Sequence, residues 1–167
     1  MKIILETARL YLREFESSDG VHFYHLNNDE EVIKHTGNKP FKSLKEAMVF
    51  IENYSDYKQN GFGRWAVCLK KTNEFLGWCG LKLENNEIDL GYRFYKKHWG
   101  KGYATEAALG CINYGFSTLK LKKIIGRSHI KNEASICILK KCNFKFKKKY
   151  VYDNQPAVLY ALINDTN

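Results

Sequence analysis

The chain has 167 residues, a length typical of one domain, and we predict a single domain over residues 1–167. Hydrophobic residues make up 44% of it, which permits a sizeable core, while two prolines and twelve glycines exclude a collagen-like or low-complexity chain. The formal net charge of +9 favours an anionic partner such as nucleic acid, a membrane surface or a phosphate-rich cofactor, although a solvated basic surface has the same charge.

The cysteines and the apolar runs narrow the setting in which the chain works. Five cysteines occur without a C-x-x-C pair, and the histidines lack metal-ligand spacing, so we expect no metal. Four cysteines have apolar neighbours and are expected in the core, whereas Cys142 is harder to place. Reduced thiols favour a cytoplasmic protein. The run Ile3-Ile4-Leu5 is too short for a signal peptide, and no segment approaches the roughly 18 apolar residues of a membrane span.

The first third of the chain predicts one strand and two helices. Apolar and polar residues alternate over Arg9–Phe15, which is typical of a strand. Ser17-Ser18 is expected to cap a short helix. Ser43 and Glu46 have the spacing of a capping box, and the helix that they begin should run to about residue 59, where Asn60-Gly61 ends it.

The rest of the chain predicts a meander followed by alternating helices and strands. The meander strands are Arg64–Lys70, Phe75–Leu83 and Glu87–Phe94, with polar turns between them. The later elements are a helix over Ala104–Phe116, a strand over Lys123–Arg127, a helix over Asn132–Lys141, and strands over Tyr150–Tyr152 and Val158–Ile163. This order predicts an α+β fold with a central mixed, mostly antiparallel sheet flanked by helices.

A glycine-rich loop over residues 99–103 lies between the third meander strand and the next helix. Glycines let backbone N–H groups approach a ligand closely, and a helix N-terminus adds about half a positive charge. With Lys101 nearby, the loop predicts a pyrophosphate site. It is not a Rossmann fingerprint, because Thr105 stands where the third glycine is needed, and it is not a P-loop. Gly100 and Gly102 alone are also compatible with an ordinary glycine turn.

Motifs along nearly the whole chain add to this loop. They are Thr7–Arg13, Leu76–Leu81, Leu90–Phe94, Trp99–Ala107 and Asn132–Phe144. In this order they resemble the GNAT acetyltransferase superfamily, and most closely its RimJ/RimL-type branch of ribosomal-protein N-terminal acetyltransferases. The resemblance implies the GNAT-type acyl-CoA N-acyltransferase fold. It also implies acetyl-CoA as co-substrate and acetyl transfer to a primary amine by direct attack in a ternary complex. The amine is that of a protein N-terminus or of a small molecule.

The resemblance also implies which residues hold acetyl-CoA. Backbone groups of Tyr92 and Phe94 would pair with the pantetheine arm, and one N–H there would polarise the thioester carbonyl. The Asn132 side chain would bond the pantetheine, and Ser135 would stabilise or protonate the departing thiolate. The full predicted set is Tyr92, Arg93, Phe94, Trp99, Gly100, Lys101, Gly102, Tyr103, Ala104, Thr105, Asn132, Ser135 and Lys141.

We predict Ser135, Asp89 and Tyr92 as the catalytic residues. Asp89 lies on the strand that ends at the glycine loop, where it would orient the amine or take its proton. A solvated strand carboxylate fits the same pattern, and Glu87 is the second candidate. Many GNAT enzymes carry a tyrosine acid at the position of Leu139, and leucine cannot donate a proton. Glu106 is expected to favour the helix dipole rather than catalysis.

Other functions stay open at this point. Six lysines lie between Lys140 and Lys149, which suits a solvated strand face, contact with CoA phosphates or docking on ribosomal RNA. Docking on RNA would make the protein a basic ribosome- or RNA-binding module, which is the alternative function. Because leucine at position 139 cannot act as the acid, a CoA binder without catalysis is a further alternative. A ribosomal protein is a candidate partner, and we expect neither DNA nor a membrane. The oligomer is expected to be a monomer or homodimer, and residues 35–37 are expected to form part of an acceptor pocket.

Overall fold

The computed structural model describes residues 1–165 and contains six α-helices and eight β-strands within them. The helices are α1 Asp19–Asn28, α2 Glu30–Ile33, α3 Leu44–Glu52, α4 Asp56–Asn60, α5 Tyr103–Ser117 and α6 Glu133–Lys141, with a short 3-10 turn at Lys96–His98. The strands are β1 Ile3–Glu6, β2 Leu10–Arg13, β3 Arg64–Leu69, β4 Phe75–Glu84, β5 Glu87–Phe94, β6 Lys123–His129, β7 Lys145–Tyr152 and β8 Gln155–Ile163.

All eight strands form one sheet in the order β1-β2-β3-β4-β5-β6-β8-β7. The predicted antiparallel meander β3-β4-β5 is confirmed, and β5 and β6 form the parallel pair. The two-residue turns at Asn85-Asn86 and Asp153-Asn154 close their hairpins with positive φ at both positions, which is the conformation that matches strand twist. The predicted α+β fold, with its mixed and mostly antiparallel sheet, is therefore confirmed.

Helices cover both faces of the sheet, because successive side chains of a strand point to opposite faces and apolar ones lie on both. Leu10 and Leu12 are buried in the core cluster that contains residues of α5 and α6, whereas Tyr11 packs in a second cluster with residues of α1 and α3. This arrangement explains the alternation seen in the sequence, since both faces of β2 are buried. Arg13, two residues after Tyr11 and on the same face of β2, is buried and pairs with Asp19 at 2.7 and 2.8 Å.

Several local predictions are corrected by the structure. The helix predicted from residue 43 to about 59 is broken at residues 53–55 into α3 and α4. Ser43 does cap α3, but the Glu46 carboxylate accepts the N–H of Lys42 rather than that of Ser43. The N-cap residue of α1 is Ser18, yet its side chain makes no capping hydrogen bond. The Asp19 carboxylate accepts the N–H of Glu16 at 2.8 Å instead.

Other corrections concern β1 and the cysteines. Ile3–Glu6 forms an edge strand that the sequence analysis did not predict. Cys142, which we set apart from the four cysteines expected in the core, is buried there. Cys137, which we expected in the core, is exposed, so the prediction for Cys137 was wrong. Asn143 follows α6 in the left-handed conformation, with a φ of 65°, which asparagine adopts more readily than most residues.

Candidate functional site

The site begins where β5 and β6 separate. The two strands are in register at Asp89 and Ile125, and no other register pair joins them within residues 1–165. On its other side β5 stays paired with β4 as far as Phe94. Beyond Asp89, the edge of β5 that faces β6 therefore opens into a groove.

The glycine loop lies at the end of this groove. Gly100 and Gly102 have φ values of 73° and 79°, a backbone conformation that favours glycine. α5 begins directly after Gly102, and the N–H groups at its start have no intrahelical acceptor. The space beside Gly100 is open, because among residues 1–165, its two chain neighbours apart, no atom lies within 4 Å of where its Cβ would stand. The loop is thus shaped to hold an anionic group at a helix N-terminus.

Glu106 fixes this loop to the start of the chain. Its carboxylate accepts the hydroxyl of Thr7 at 2.6 Å, the backbone N–H of Arg9 at 2.8 Å and the Arg9 Nε at 2.6 Å. Arg9 also donates to the carbonyl of Lys101 at 3.0 Å, and its guanidinium lies 4.5 Å from the ring centre of Tyr103. Glu106 therefore has a structural role, which is larger than the helix-dipole effect that we predicted.

A cavity of about 590 Å³ extends along the groove past the loop and the start of α6. Every predicted cofactor residue except Lys101 lines it. Lys34 and Lys131 also line it, and the sequence analysis missed both because no motif marks them. Together with Lys141 they outnumber the two carboxylates of the lining, Glu31 and Glu133, so the groove has a net positive charge that suits a polyanion.

The side chain of Arg93 has another role. It donates to the side-chain oxygens of Asn27 and Asn38, the latter at 2.8 Å, and so holds the segment after α2 against the sheet. Burial lowers the pKa of Arg93 to about 10, with a contribution from the nearby Arg64 charge. Arg93 thus anchors the segment that carries His35.

At the start of α6, three predicted residues come together. The Asn132 side chain caps the helix by accepting the N–H of Ser135 at 3.1 Å. The Tyr92 hydroxyl donates to the Ser135 carbonyl at 2.9 Å and lies 3.1 Å from the Ser135 hydroxyl. Burial raises the pKa of Tyr92 well above its usual range, partly offset by the hydrogen bond to Ser135. Tyr92 therefore stays protonated at neutral pH.

A second cavity of about 200 Å³ lies beside the first, and Asp89 lines it. Asp89 Oδ2 accepts Arg64 Nη2 at 2.8 Å, and Oδ1 lies 3.5 Å from Arg127 Nη1. His35 and His129 stack across the cavity wall with ring centres 5.2 Å apart. Glu87, the second candidate base, pairs with Lys123 at 2.9 Å and lines neither cavity.

The two cavities share part of their walls. Both are lined by His35, Thr36, Tyr92, Asn132 and Ser135. A large basic groove that ends in a glycine loop at a helix N-terminus fits the nucleotide and pantetheine parts of CoA. The smaller cavity fits a second reactant at the far end of that groove. Such a site defines a CoA-dependent acyltransferase.

Comparison with known proteins identifies the family. A family model described as "Acetyltransferase (GNAT) domain" matches residues 9–145. The "Uncharacterized N-acetyltransferase p20" of Bacillus licheniformis is 34% identical over 145 residues, which span 84% of this chain and 82% of that protein. The chain therefore belongs to the GNAT acetyltransferase family, and it is an acetyltransferase that uses acetyl-CoA.

Solved structures have the same fold. The GNAT-family acetyltransferase from Bacillus anthracis superposes with a TM-score of 0.83 at 24% identity, covering 96% of this chain and 98% of that one. The spermidine N-acetyltransferase from Vibrio cholerae, solved in complex with CoA and spermine, gives a TM-score of 0.79 at 20% identity, covering 93% and 96%.

Other predictions about the site have mixed outcomes. Leu139 is buried in the core and packs against Gly126. Its hydrocarbon side chain has no proton to donate. Of the basic run, Lys141 lines the larger cavity, while Lys145 and the lysines that follow are exposed on edge strand β7, outside both cavities. Residues 1–165 contain no cluster of His, Cys, Asp or Glu that could hold a metal, and no helix among them is long and apolar enough to cross a membrane.

The sequence analysis missed most of the smaller cavity. Its walls include Trp78, Arg127, His129 and Tyr152, which come from three different strands. The segment His35-Thr36-Gly37, by contrast, was expected in an acceptor pocket, and His35 and Thr36 do line this one. No sequence spacing joins β4, β6 and β7, and only the sheet order brings them together.

Proposed function

We propose that the protein transfers the acetyl group of acetyl-CoA to a primary amine, which attacks the thioester directly while both reactants are bound. The observation that carries this proposal is the junction of the two cavities where β5 and β6 separate. A donor in the larger cavity and an acceptor in the smaller one would meet at Tyr92 and Ser135. Holding two reactants in contact supplies much of the rate enhancement of such a reaction.

The donor would be held by backbone and side-chain groups together. The N–H groups at the start of α5 would face the pyrophosphate, and Lys34, Lys131 and Lys141 would attract the phosphates. The side-chain amide of Asn132 has its oxygen engaged in capping α6, so its NH₂ group is available to the pantetheine. The open edge of β5 near Tyr92 offers backbone groups to the pantetheine and to the thioester carbonyl.

Ser135 and Tyr92 would handle the leaving group. The Tyr92 hydroxyl donates its one proton to the Ser135 carbonyl, so without a ligand the Ser135 hydroxyl donates to the Tyr92 oxygen. The Ser135 hydroxyl would turn from there to donate to the departing thiolate. Because the pKa of Tyr92 is raised, its hydroxyl is a weaker acid than that of a free tyrosine and would hold Ser135 in place rather than supply the proton itself. This pair would take the place of the tyrosine that Leu139 replaces.

Asp89 would orient the amine. Two guanidinium groups already offset its charge, which favours a role in binding over a role as base. His35 lies at the junction, and its pKa is lowered by burial and by the neighbouring His129. It is therefore neutral at pH 7 and would accept the proton that the amine loses as the new C–N bond forms.

Several finer features stay predictions. They are the RimJ/RimL branch, a ribosomal protein as partner, and a monomeric or homodimeric state. The cytoplasm is our proposed location, supported by five cysteines that form no disulfide.

Thermal shift with acetyl-CoA tests the donor site. A ligand at a hundred times its Kd adds about 2.7 kcal/mol to the free energy of unfolding. Gly102→Asp should abolish the shift, because it places a negative side chain in the phosphate cradle. Gly61→Asp is the matched control: Gly61 has nearly the same φ, 78°, at a helix end outside the groove, so its backbone strain is equal. Loss of the shift in both variants would contradict the proposed cradle.

CoA release in the presence of an amine panel tests the reaction. Intersecting initial-rate patterns are expected for a ternary complex, whereas parallel patterns would indicate an acyl-enzyme. Ser135→Ala should lower kcat about 100-fold, as expected for loss of a general acid. Ser117→Ala, on the exposed end of α5, is the control. Unchanged turnover in Ser135→Ala would refute its assigned role.

A further inference from the structure

Two residues in the walls of the smaller cavity each carry a buried side-chain atom that has no hydrogen-bond partner among residues 1–165. They are the Asp89 Oδ1 acceptor, whose charge is offset by Arg127 Nη1 3.5 Å away, and the Trp78 Nε1 donor. Buried polar groups without partners are rare because they lose their hydration without compensation. A ligand that donates to one atom and accepts from the other would satisfy both.

The two residues project from the same face of the sheet. β4 and β5 are antiparallel, and the register that places Gly80 opposite Gly91 puts Trp78 and Asp89 on that face, on either side of this glycine pair. Because Gly80 and Gly91 have no side chains, there is space on this face of the sheet, and the Arg64 guanidinium fills part of that space. That group bonds Asp89 Oδ2 and lies 5.3 Å from the Trp78 ring centre.

The charges around the cavity are nearly balanced. Arg127 lies 3.5 Å from Asp89 and 3.4 Å from Glu84, so each of these carboxylates has a guanidinium beside it. Arg64 adds a second cation next to Asp89. Asp153, the other carboxylate that lines the cavity, is exposed at the β7–β8 turn. Such a cavity suits one ammonium or amine group, but it does not suit several positive charges.

We infer that the acceptor is a primary amine that carries a carbonyl or carboxylate oxygen a few bonds away, as in an amino acid or the N-terminal residue of a peptide. The amine would donate to Asp89 Oδ1, and the oxygen would accept from Trp78 Nε1. A polyamine has only N–H donors at neutral pH, so it leaves the indole unpaired and brings extra positive charge to the arginines. The inference rests on the proposed amine acetylation and specifies its substrate class.

Four amines test this inference in the wild-type protein at saturating acetyl-CoA, with kcat/KM calculated on the concentration of the neutral amine, because a nearby carbonyl or carboxylate itself lowers the pKa of an amine. Isopropylamine and alanine share a carbon skeleton, and a carboxylate in alanine replaces one methyl group. We expect kcat/KM for alanine or alaninamide to exceed that for isopropylamine and for spermidine by about tenfold or more. Preference for alanine indicates a free amino acid, and equal use of alaninamide indicates a peptide N-terminus. Spermidine as the best substrate, or isopropylamine equal to both alanine compounds, would overturn the inference.

Trp78→Phe keeps the ring and removes only the N–H group. It should reduce the preference for the oxygen-bearing amine over isopropylamine about tenfold. Trp65→Phe is the matched control, since Trp65 Nε1 is also buried without a partner but lies in the core against Tyr114 and does not line the cavity. An equal change in both variants, or none in Trp78→Phe, would overturn the role of the indole.

Failure of the proposed function is separable from failure of this inference. If no amine releases CoA although acetyl-CoA binds, acetyl transfer to these amines fails, and calorimetry of alanine and isopropylamine against the CoA-saturated protein still tests the cavity. Tighter binding of alanine by about tenfold supports the inference, and equal binding overturns it.

Discussion

Glu106 offers a test of how the start of the chain supports the donor site. Its carboxylate accepts three hydrogen bonds from Thr7 and Arg9, across almost 100 residues of sequence. The Glu106 side chain is 17% exposed, whereas that of Arg9 is 46% exposed. A first-turn glutamate that only complements the helix dipole contributes about 0.3–1 kcal/mol. The structure predicts a larger effect.

Glu106→Ala removes the acceptor of the Thr7 hydroxyl and of the Arg9 backbone N–H. Hydrogen bonds to a charged group contribute about 1.5–3 kcal/mol each, and the half-exposed Arg9 ion pair adds no more than about 1 kcal/mol. The Thr7 hydroxyl regains part of its loss through the Leu10 carbonyl, 3.4 Å away. We therefore expect a loss of about 2–4 kcal/mol in the free energy of unfolding, or roughly 5–15 °C in Tm.

Urea unfolding measures this loss, and Glu133→Ala is its control. Glu133 lies in the first turn of α6 and is exposed, so its removal should cost less than about 1 kcal/mol. Burial on its own raises the pKa of Glu106, but the hydrogen bonds from Thr7 and Arg9 outweigh it and lower the pKa below 4.5. The stabilisation is thus present above pH 4.5, and the gap between wild type and Glu106→Ala should narrow as pH falls below that value. Equal losses in the two variants would refute the reasoning.

Two further predictions concern the proton transfers. His35→Gln should remove an acidic limb from the pH profile of kcat/KM calculated on the neutral amine, since protonation of the free amine produces a limb of its own. Because burial and His129 lower the pKa of His35 from its usual 6.5, the limb that His35 causes should lie below that pH, and a limb that persists there in the variant would assign it to another group. Leu139→Tyr should not restore the tyrosine acid of other GNAT enzymes, because Leu139 is buried against Gly126. We expect a loss of about 1–3 kcal/mol in the free energy of unfolding and no gain in kcat. A rise in kcat would contradict this packing.

The groove that we propose for the donor could be predicted because most of its parts are consecutive in sequence. The strand Glu87–Phe94, the glycine loop and α5 follow one another, and each has a local pattern: alternation, paired glycines or helical spacing. The motif at Asn132 and Ser135 adds the start of α6. The structure brings these segments together around one groove, as the order of motifs indicated.

Most of the smaller cavity, which we propose for the acceptor, could not be predicted because its residues are separated in sequence and have no shared spacing. The motifs pointed to Asp89 and to residues 35–37, but Trp78 and Arg127 lie on β4 and β6, and only the sheet order brings them beside Asp89. Arg93 shows the same limit in another way: the motif placed it near the cofactor, but its guanidinium bonds Asn27 and Asn38 on the opposite side of the strand. A motif places a backbone position, whereas the side-chain direction follows from packing.

β5 explains why the two cavities meet at one point. Successive residues of a strand face opposite sides, so Leu90 and Phe94 pack in the cluster with α5, while Asp89 and Arg93 face the other layer. Tyr92 is on the α5 side and contacts Ser135. In a closed sheet, Tyr92 and Asp89 would be separated by the strand layer. Because β6 separates from β5 beyond Asp89, one cavity reaches both side chains, and in the function that we propose an amine held by Asp89 would have a path to a thioester beside Tyr92.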